Sequence, residues 1–195
     1  LVGRLFSAKI VELGLASIPG YTGRSGIASG PYIQYWPALI DSKFITEKVH
    51  IDGKTIDVQP TSQMDFEEIY YQKEPYENKL PEIKNYQSTQ FGKLYGTRSG
   101  DKGGCANLGV WAKNQDSYSY LYDFLTVEKL KELLPDLKDF EIDRHELPNI
   151  LSLNFYVHDI LQDGVSSSTR LDGQAKSLGE YLRAKEVNVP DFLIN

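Results

Sequence analysis

Residues 151–158 read LSLNFYVH, with apolar and polar side chains in strict alternation. A period of two is the mark of a strand with one buried and one wet face. It assigns Leu151, Leu153, Phe155 and Val157 to one side and Ser152, Asn154, Tyr156 and His158 to the other. Just upstream, DFEIDRHEL alternates as well, and Pro148-Asn149 joins the two runs as a hairpin. This pair constrains the chain most, because a half-wet antiparallel sheet needs helices on its other face.

The helices are legible nearby. Tyr118, Leu121, Phe124 and Leu125 share one helical face, and Val127, Leu130, Leu133 and Leu134 share another. Thr126 reads as a cap and Pro135 as the stop, which fits two short helices or one bent helix equally. A last helix is expected from Asp172 through Ala175, Leu178, Tyr181 and Leu182. QSTQFGKLYGT reads as a glycine-interrupted strand, and NLGVWAK as the strand that follows it. Residues 88–195 therefore form an α+β domain, an antiparallel sheet with helices on one face.

The first third reads differently. An amphipathic helix with Leu5, Phe6, Ile10 and Leu13 on roughly one face is expected to stop at Pro19-Gly20. A Gly/Ser-rich loop (residues 19–31) precedes Tyr32, Tyr35 and Trp36, which either line a pocket or cap a core. Asp52-Gly53 between alternating runs in residues 44–58 marks a two-residue hairpin. Residues 59–87 lose periodicity, carry Pro60, Pro75 and Pro81, and read as a linker. Its tyrosines, Tyr70, Tyr71 and Tyr76, are expected to pack on something.

Composition narrows the function classes. The 195-residue chain is 41% hydrophobic and 25% charged, with a net charge of -6. That balance, without a basic block, argues against a nucleic-acid partner. Its apolar runs fall short of the roughly 20 residues of a membrane helix, and its start lacks a signal-peptide pattern. The expectation is a soluble intracellular protein, cytoplasmic or of the mitochondrial matrix, without membrane association. Its opening on Leu1, inside an amphipathic pattern, reads as processed, truncated or partly sequenced. A single cysteine, Cys105, excludes an internal disulfide, and His50, His145 and His158 do not give zinc-ligand spacing with it.

GTRSGDKGGCAN, residues 96–107, is the segment richest in chemistry. A glycine-rich turn beside Arg98 and Lys102 can point backbone N–H groups and two cations at one anion. It lacks the order of a Walker loop and the spacing of a dinucleotide fingerprint. In the anion-site reading Ser99, Gly103 and Gly104 donate while Asp101 and Asn107 hold the loop; the alternative is a plain turn. Cys105 is either a nucleophile activated by these cations or a small buried filler. In SSSTRLDGQAKSLG, Arg170 and Lys176 fall at the start of the last helix, where cations oppose the macrodipole unless an anion or Asp172 offsets them. Asp143 and His145 share one strand face, and Arg144 and Glu146 the other, which is read as a solvated surface or as acid and base partners.

RSGDKGGCANLGVWAK, ELPNILSLNFYVHDIL and TRLDGQAKSLGEYL together resemble the C-terminal ferredoxin-like domain of the acyclic terpene utilisation AtuA-like family. LGLASIPGY and PYIQYWPALI resemble the closing part of that family's larger N-terminal α/β domain. The resemblance implies three parts: a C-terminal remnant of that α/β domain (1–58), a linker (59–87) and a ferredoxin-fold domain (88–195). It also implies a metabolic setting, the degradation of acyclic terpenoids and branched acids alongside biotin-dependent acyl-CoA carboxylases, with a CoA thioester as ligand. Implied partners are a second copy of the chain, the rest of the α/β domain, or an acyl-CoA carboxylase. Cys105 departs from the polar, often acidic, residue that family members usually carry there. The resemblance supplies no reaction.

Overall fold

The structure is a computed structural model that describes residues 4–19, 31, 33–58 and 76–194. The chain divides into two units, Leu1–Gln34 and Tyr35–Asn195. In the first, α1 (Arg4–Gly14) exposes Leu5, Phe6, Val11 and Leu13. It ends before the expected Pro19, because Gly14 is a poor helix former and Ser17 takes a positive φ of 52°. The Gly/Ser-rich loop and Tyr32 lie outside the described residues.

The second unit opens with the hairpin β1 (Glu47–Ile51) and β2 (Lys54–Val58), paired from Glu47↔Val58 to Ile51↔Lys54. Asp52 and Gly53 have φ of 49° and 72°, the two positive dihedrals that such a turn requires. All ten strand residues are exposed.

Residues 59–75, with Tyr70 and Tyr71, lie outside the described residues. Tyr76 does pack. Its hydroxyl pairs with Ser119 Oγ at 3.0 Å, and its ring lies 5.2 Å from Tyr118 and 5.0 Å from Tyr122.

Next come β3 (Tyr86–Gln90) and α2 (Phe91–Leu94). The expected strand across QSTQFGKLYGT is thus broken by a helical turn, because Phe91 and Leu94, three residues apart, both enter the core. The main sheet holds β4 (Gly96–Lys102), β5 (Cys105–Trp111), β6 (Ile142–Leu147) and β7 (Ser152–Val157), in the order β4-β5-β7-β6 and antiparallel throughout. Between β5 and β6 run α3 (Gln115–Phe124) and α4 (Val127–Leu133). They are two helices: Asn114 caps the first by accepting from Ser117 N, and Thr126 caps the second by accepting from Lys129 N. After β7 come α5 (Leu178–Arg183) and β8 (Glu186–Pro190), which pairs with β3.

Inserting β7 between β5 and β6 makes the split β-α-β of a ferredoxin-like fold. Leu108 and Val110 of β5 and Leu153, Phe155 and Val157 of β7 are buried against Tyr118, Leu121, Leu125, Leu130 and Leu182. Each such side chain contributes about 1.5–3 kcal/mol on burial. Leu151 sits just ahead of β7, at a positive φ of 51°. The other sheet face carries Arg98, Asn107, Asn154, Tyr156, Asp143 and His145, and stays open enough to position chemistry.

Candidate functional site

The glycine-rich segment is not a loop. Residues 96–102 are β4, an edge strand in full register with β5 from Gly96↔Trp111 to Lys102↔Cys105, and only Gly103 and Gly104 make the turn. Alternation along β4 then splits the expected anion site in two. Thr97 and Ser99 point into the core face and are 5% exposed, whereas Arg98 and Lys102 point to the outer face and are exposed.

Ser99 is committed internally. Its Oγ accepts Gly179 N–H at 2.9 Å and donates to the Lys176 carbonyl at 3.1 Å. Gly103 has φ of 64° and lies against the Tyr35 ring, while a β-carbon on Gly104 would overlap the Gln162 carbonyl. Gly104 O in turn accepts Leu161 N–H at 2.8 Å, so the turn is packed on residues 161–164 instead of opening as an anion cradle. Asp101 sits in β4 opposite Ala106, its carbonyl accepting from Lys102 Nζ at 2.8 Å. Asn107 does not brace a loop either: its Nδ2 donates across the sheet to Asn154 Oδ1 at 3.2 Å.

The last helix begins at Leu178, not after Asp172, which takes Arg170 away from its N-terminus and leaves Lys176 just ahead of the Ser177 N-cap instead of in the first turn. Asp172 instead holds the preceding turn, its two carboxylate oxygens accepting Lys176 N–H at 2.9 Å and Ser177 N–H at 3.0 Å. Arg170 lies over the Phe140 ring, just ahead of the opposite edge strand β6. Lys176 goes the other way and reaches over β4, its Nζ 2.9 Å from where a β-carbon of Gly100 would stand. The structure therefore brings together Arg98, Lys102, Asn107 and Lys176 on one edge of the sheet. It removes Ser99, Asp101, Gly103, Gly104 and Arg170 from that cluster.

Cys105 is no core filler, since Ala106 takes the buried position beside it. Half-buried, its Sγ accepts Asp159 N–H at 3.5 Å and is hydrogen-bonded to the Tyr156 hydroxyl. That bond, with burial and the neighbouring Cys105, Tyr35 and Asp159, pushes the Tyr156 phenol up to about 12, so it stays protonated at neutral pH. Nor is the Arg144–Glu146 face solvated. Their 2.7 Å ion pair is mostly buried, and Arg144 also donates to the carbonyls of Tyr122 at 2.6 Å and Leu125 at 3.2 Å.

Sequence reasoning missed one grouping. Asp143 Oδ2 lies 2.8 Å from His158 Nε2, and Glu141 joins them, all three ligand atoms within 4.8 Å of one another. The bond to Asp143 raises the His158 pKa above its ordinary value. The signal was register: pairing Ile142 with Val157 carries His158 beyond the strand end to Glu141, whose carbonyl accepts its N–H at 3.0 Å. Glu141 and Asp143 are exposed and His158 half-buried; the three offer metal-ligand atoms but no enclosed site.

No helix among the described residues is long and apolar enough to cross a membrane. No curated protein and no solved structure matches the chain. The model of the AtuA ferredoxin-like domain matches residues 89–188, just over half of the chain, and covers every strand of the main sheet together with α3, α4 and α5. By that match the chain belongs to the AtuA ferredoxin-like domain family.

Proposed function

We propose that the chain is the associating part of a catabolic protein that handles acyl-CoA intermediates, with residues 35–58 docking onto the larger α/β domain of its family. The observation that carries this reading is the exposure of those residues. Trp36 is 81% exposed and Leu39 fully so, with Ile40, Phe44 and Ile45 exposed within the next few positions. Lone exposed apolar side chains are ordinary, but this density supports an interaction surface. The adjoining hairpin is a two-stranded sheet, marginal in water by itself, whose outer edges suit addition of a further strand. The likeness of PYIQYWPALI to the closing part of the α/β domain names the occupant, and the family resemblance supplies the acyl-CoA setting.

Light scattering of the chain mixed with a separately produced α/β domain of an AtuA-like protein tests this. The expected result is a 1:1 complex that the double variant Trp36→Glu, Leu39→Glu abolishes. A chain that ignores the α/β domain overturns the reading; so does a homo-oligomer abolished by the same variant, which transfers the surface to a second copy.

A second reading, anion binding, is favoured by the approach of Lys176 to Gly100 beside the exposed Arg98. In it Arg98, Lys102 and Lys176 hold a phosphate or carboxylate of a CoA thioester. Calorimetry with CoA checks it, and absence of heat removes it. Enrichment of biotinylated protein in a pull-down would instead point to an acyl-CoA carboxylase.

A further inference from the structure

A cleft of about 360 Å³ opens between β3, α2, the first turn of α3 and the segment after β8, within the range of small-molecule sites. Its apolar lining comes from Leu94, Phe192, Leu193 and Ile194. Its polar lining comes from Thr89, Asn114, Asp116, Ser117 and two lysines, Lys93 and Lys113.

Lys113 Nζ donates to the Lys93 carbonyl at 3.2 Å, which fixes that ammonium at the mouth with donors to spare. Lys93 Nζ makes no hydrogen bond or ion pair among the described residues. The start of α3 is not the source of attraction, because Asn114 Oδ1 already takes Ser117 N–H at 2.9 Å. What remains is two ammonium groups beside an apolar wall. Asp116, also in the lining, offsets one of the two charges, so a single negative charge suits the cleft better than a dianion.

We infer that this cleft binds a small aliphatic monocarboxylate, its carboxylate between Lys93 and Lys113 and its tail against Leu94, Phe192 and Leu193. None of these residues belongs to the surface proposed for docking or to the Arg98 cluster, so the inference stands apart from both readings.

The test titrates the full chain with octanoate, with octan-1-ol of equal length and no charge, and with octyl phosphate, following amide shifts by NMR. Octanoate is expected to bind at least about tenfold more tightly than octan-1-ol, the effect of one charge-assisted hydrogen bond. The shifts should centre on Thr89, Lys93 and Ser117. The double variant Lys93→Gln, Lys113→Gln, at two exposed positions that fold readily, should remove that advantage and leave octan-1-ol binding as it was. Equal affinity for octanoate and octan-1-ol, unchanged octanoate binding in the variant, or shifts centred elsewhere overturns the site. Tighter binding of octyl phosphate overturns the monocarboxylate class.

Discussion

Ser99 Oγ accepts the backbone N–H of Gly179 at 2.9 Å while donating to the Lys176 carbonyl at 3.1 Å, and its neighbour on the same face, Thr97, donates to the Gly179 carbonyl at 3.0 Å. These bonds clamp the start of α5 to the edge strand β4. The Ser99→Ala variant leaves a backbone donor and an acceptor unpaired in a buried setting, and is expected to cost about 1–3 kcal/mol. Urea unfolding checks this, with a lower midpoint at unchanged slope as the expected outcome.

Arginines 98 and 144 should behave oppositely. Arg98 and Lys102 are exposed, so replacing both with Ala is expected to change stability by no more than about 0.5 kcal/mol. Arg144 is mostly buried, paired with Glu146 and bonded to two carbonyls; Arg144→Ala should cost on the order of 3 kcal/mol. Thermal melts of both variants decide the matter, and similar melting temperatures would contradict the assignment.

The turn offers a steric test. A β-carbon on Gly104 would overlap the Gln162 backbone carbonyl, which has no flexible end to swing away. Gly104→Ala is expected to cost about 1–3 kcal/mol, the usual penalty of overpacking. Amide hydrogen exchange should show the loss concentrated at Leu161, whose N–H bonds to Gly104 O.

His158 predicts a pH dependence. Its pKa is raised chiefly by the hydrogen bond to Asp143, with Glu141 and Asp159 adding to it and burial opposing it. The folded state thus holds the proton more tightly than the unfolded chain. The stabilisation is complete below the unfolded value of about 6.5 and fades as pH rises through the higher folded value. An NMR titration of the imidazole in Asp143→Asn should show the pKa falling back; no change would show that Asp143 is not the main cause.

Local pattern determined much of this protein. Alternation in LSLNFYVH and in DRHE assigned strand faces correctly, the Asp52-Gly53 turn placed a hairpin, and Thr126 announced a helix start, because each depends only on neighbours in the chain. The α+β class was legible from the order of elements, and the ferredoxin-like fold from the resemblance of three segments to a known family. The fate of GTRSGDKGGCAN was not. Its glycines promised a loop, but pairing with β5 made it a strand, and a strand sends Ser99 and Arg98 to opposite faces. Which hydroxyl is consumed by Gly179, which glycine lies under Tyr35, and whether Lys176 turns toward β4 depend on segments some 60 to 80 residues apart. The late start of α5, at Leu178, has in part the same cause, since Ser99 takes up the Gly179 N–H within its first turn. Such contacts have no local signature, because long-range packing, not propensity, selects among the hydrogen-bond partners that a polar side chain can satisfy.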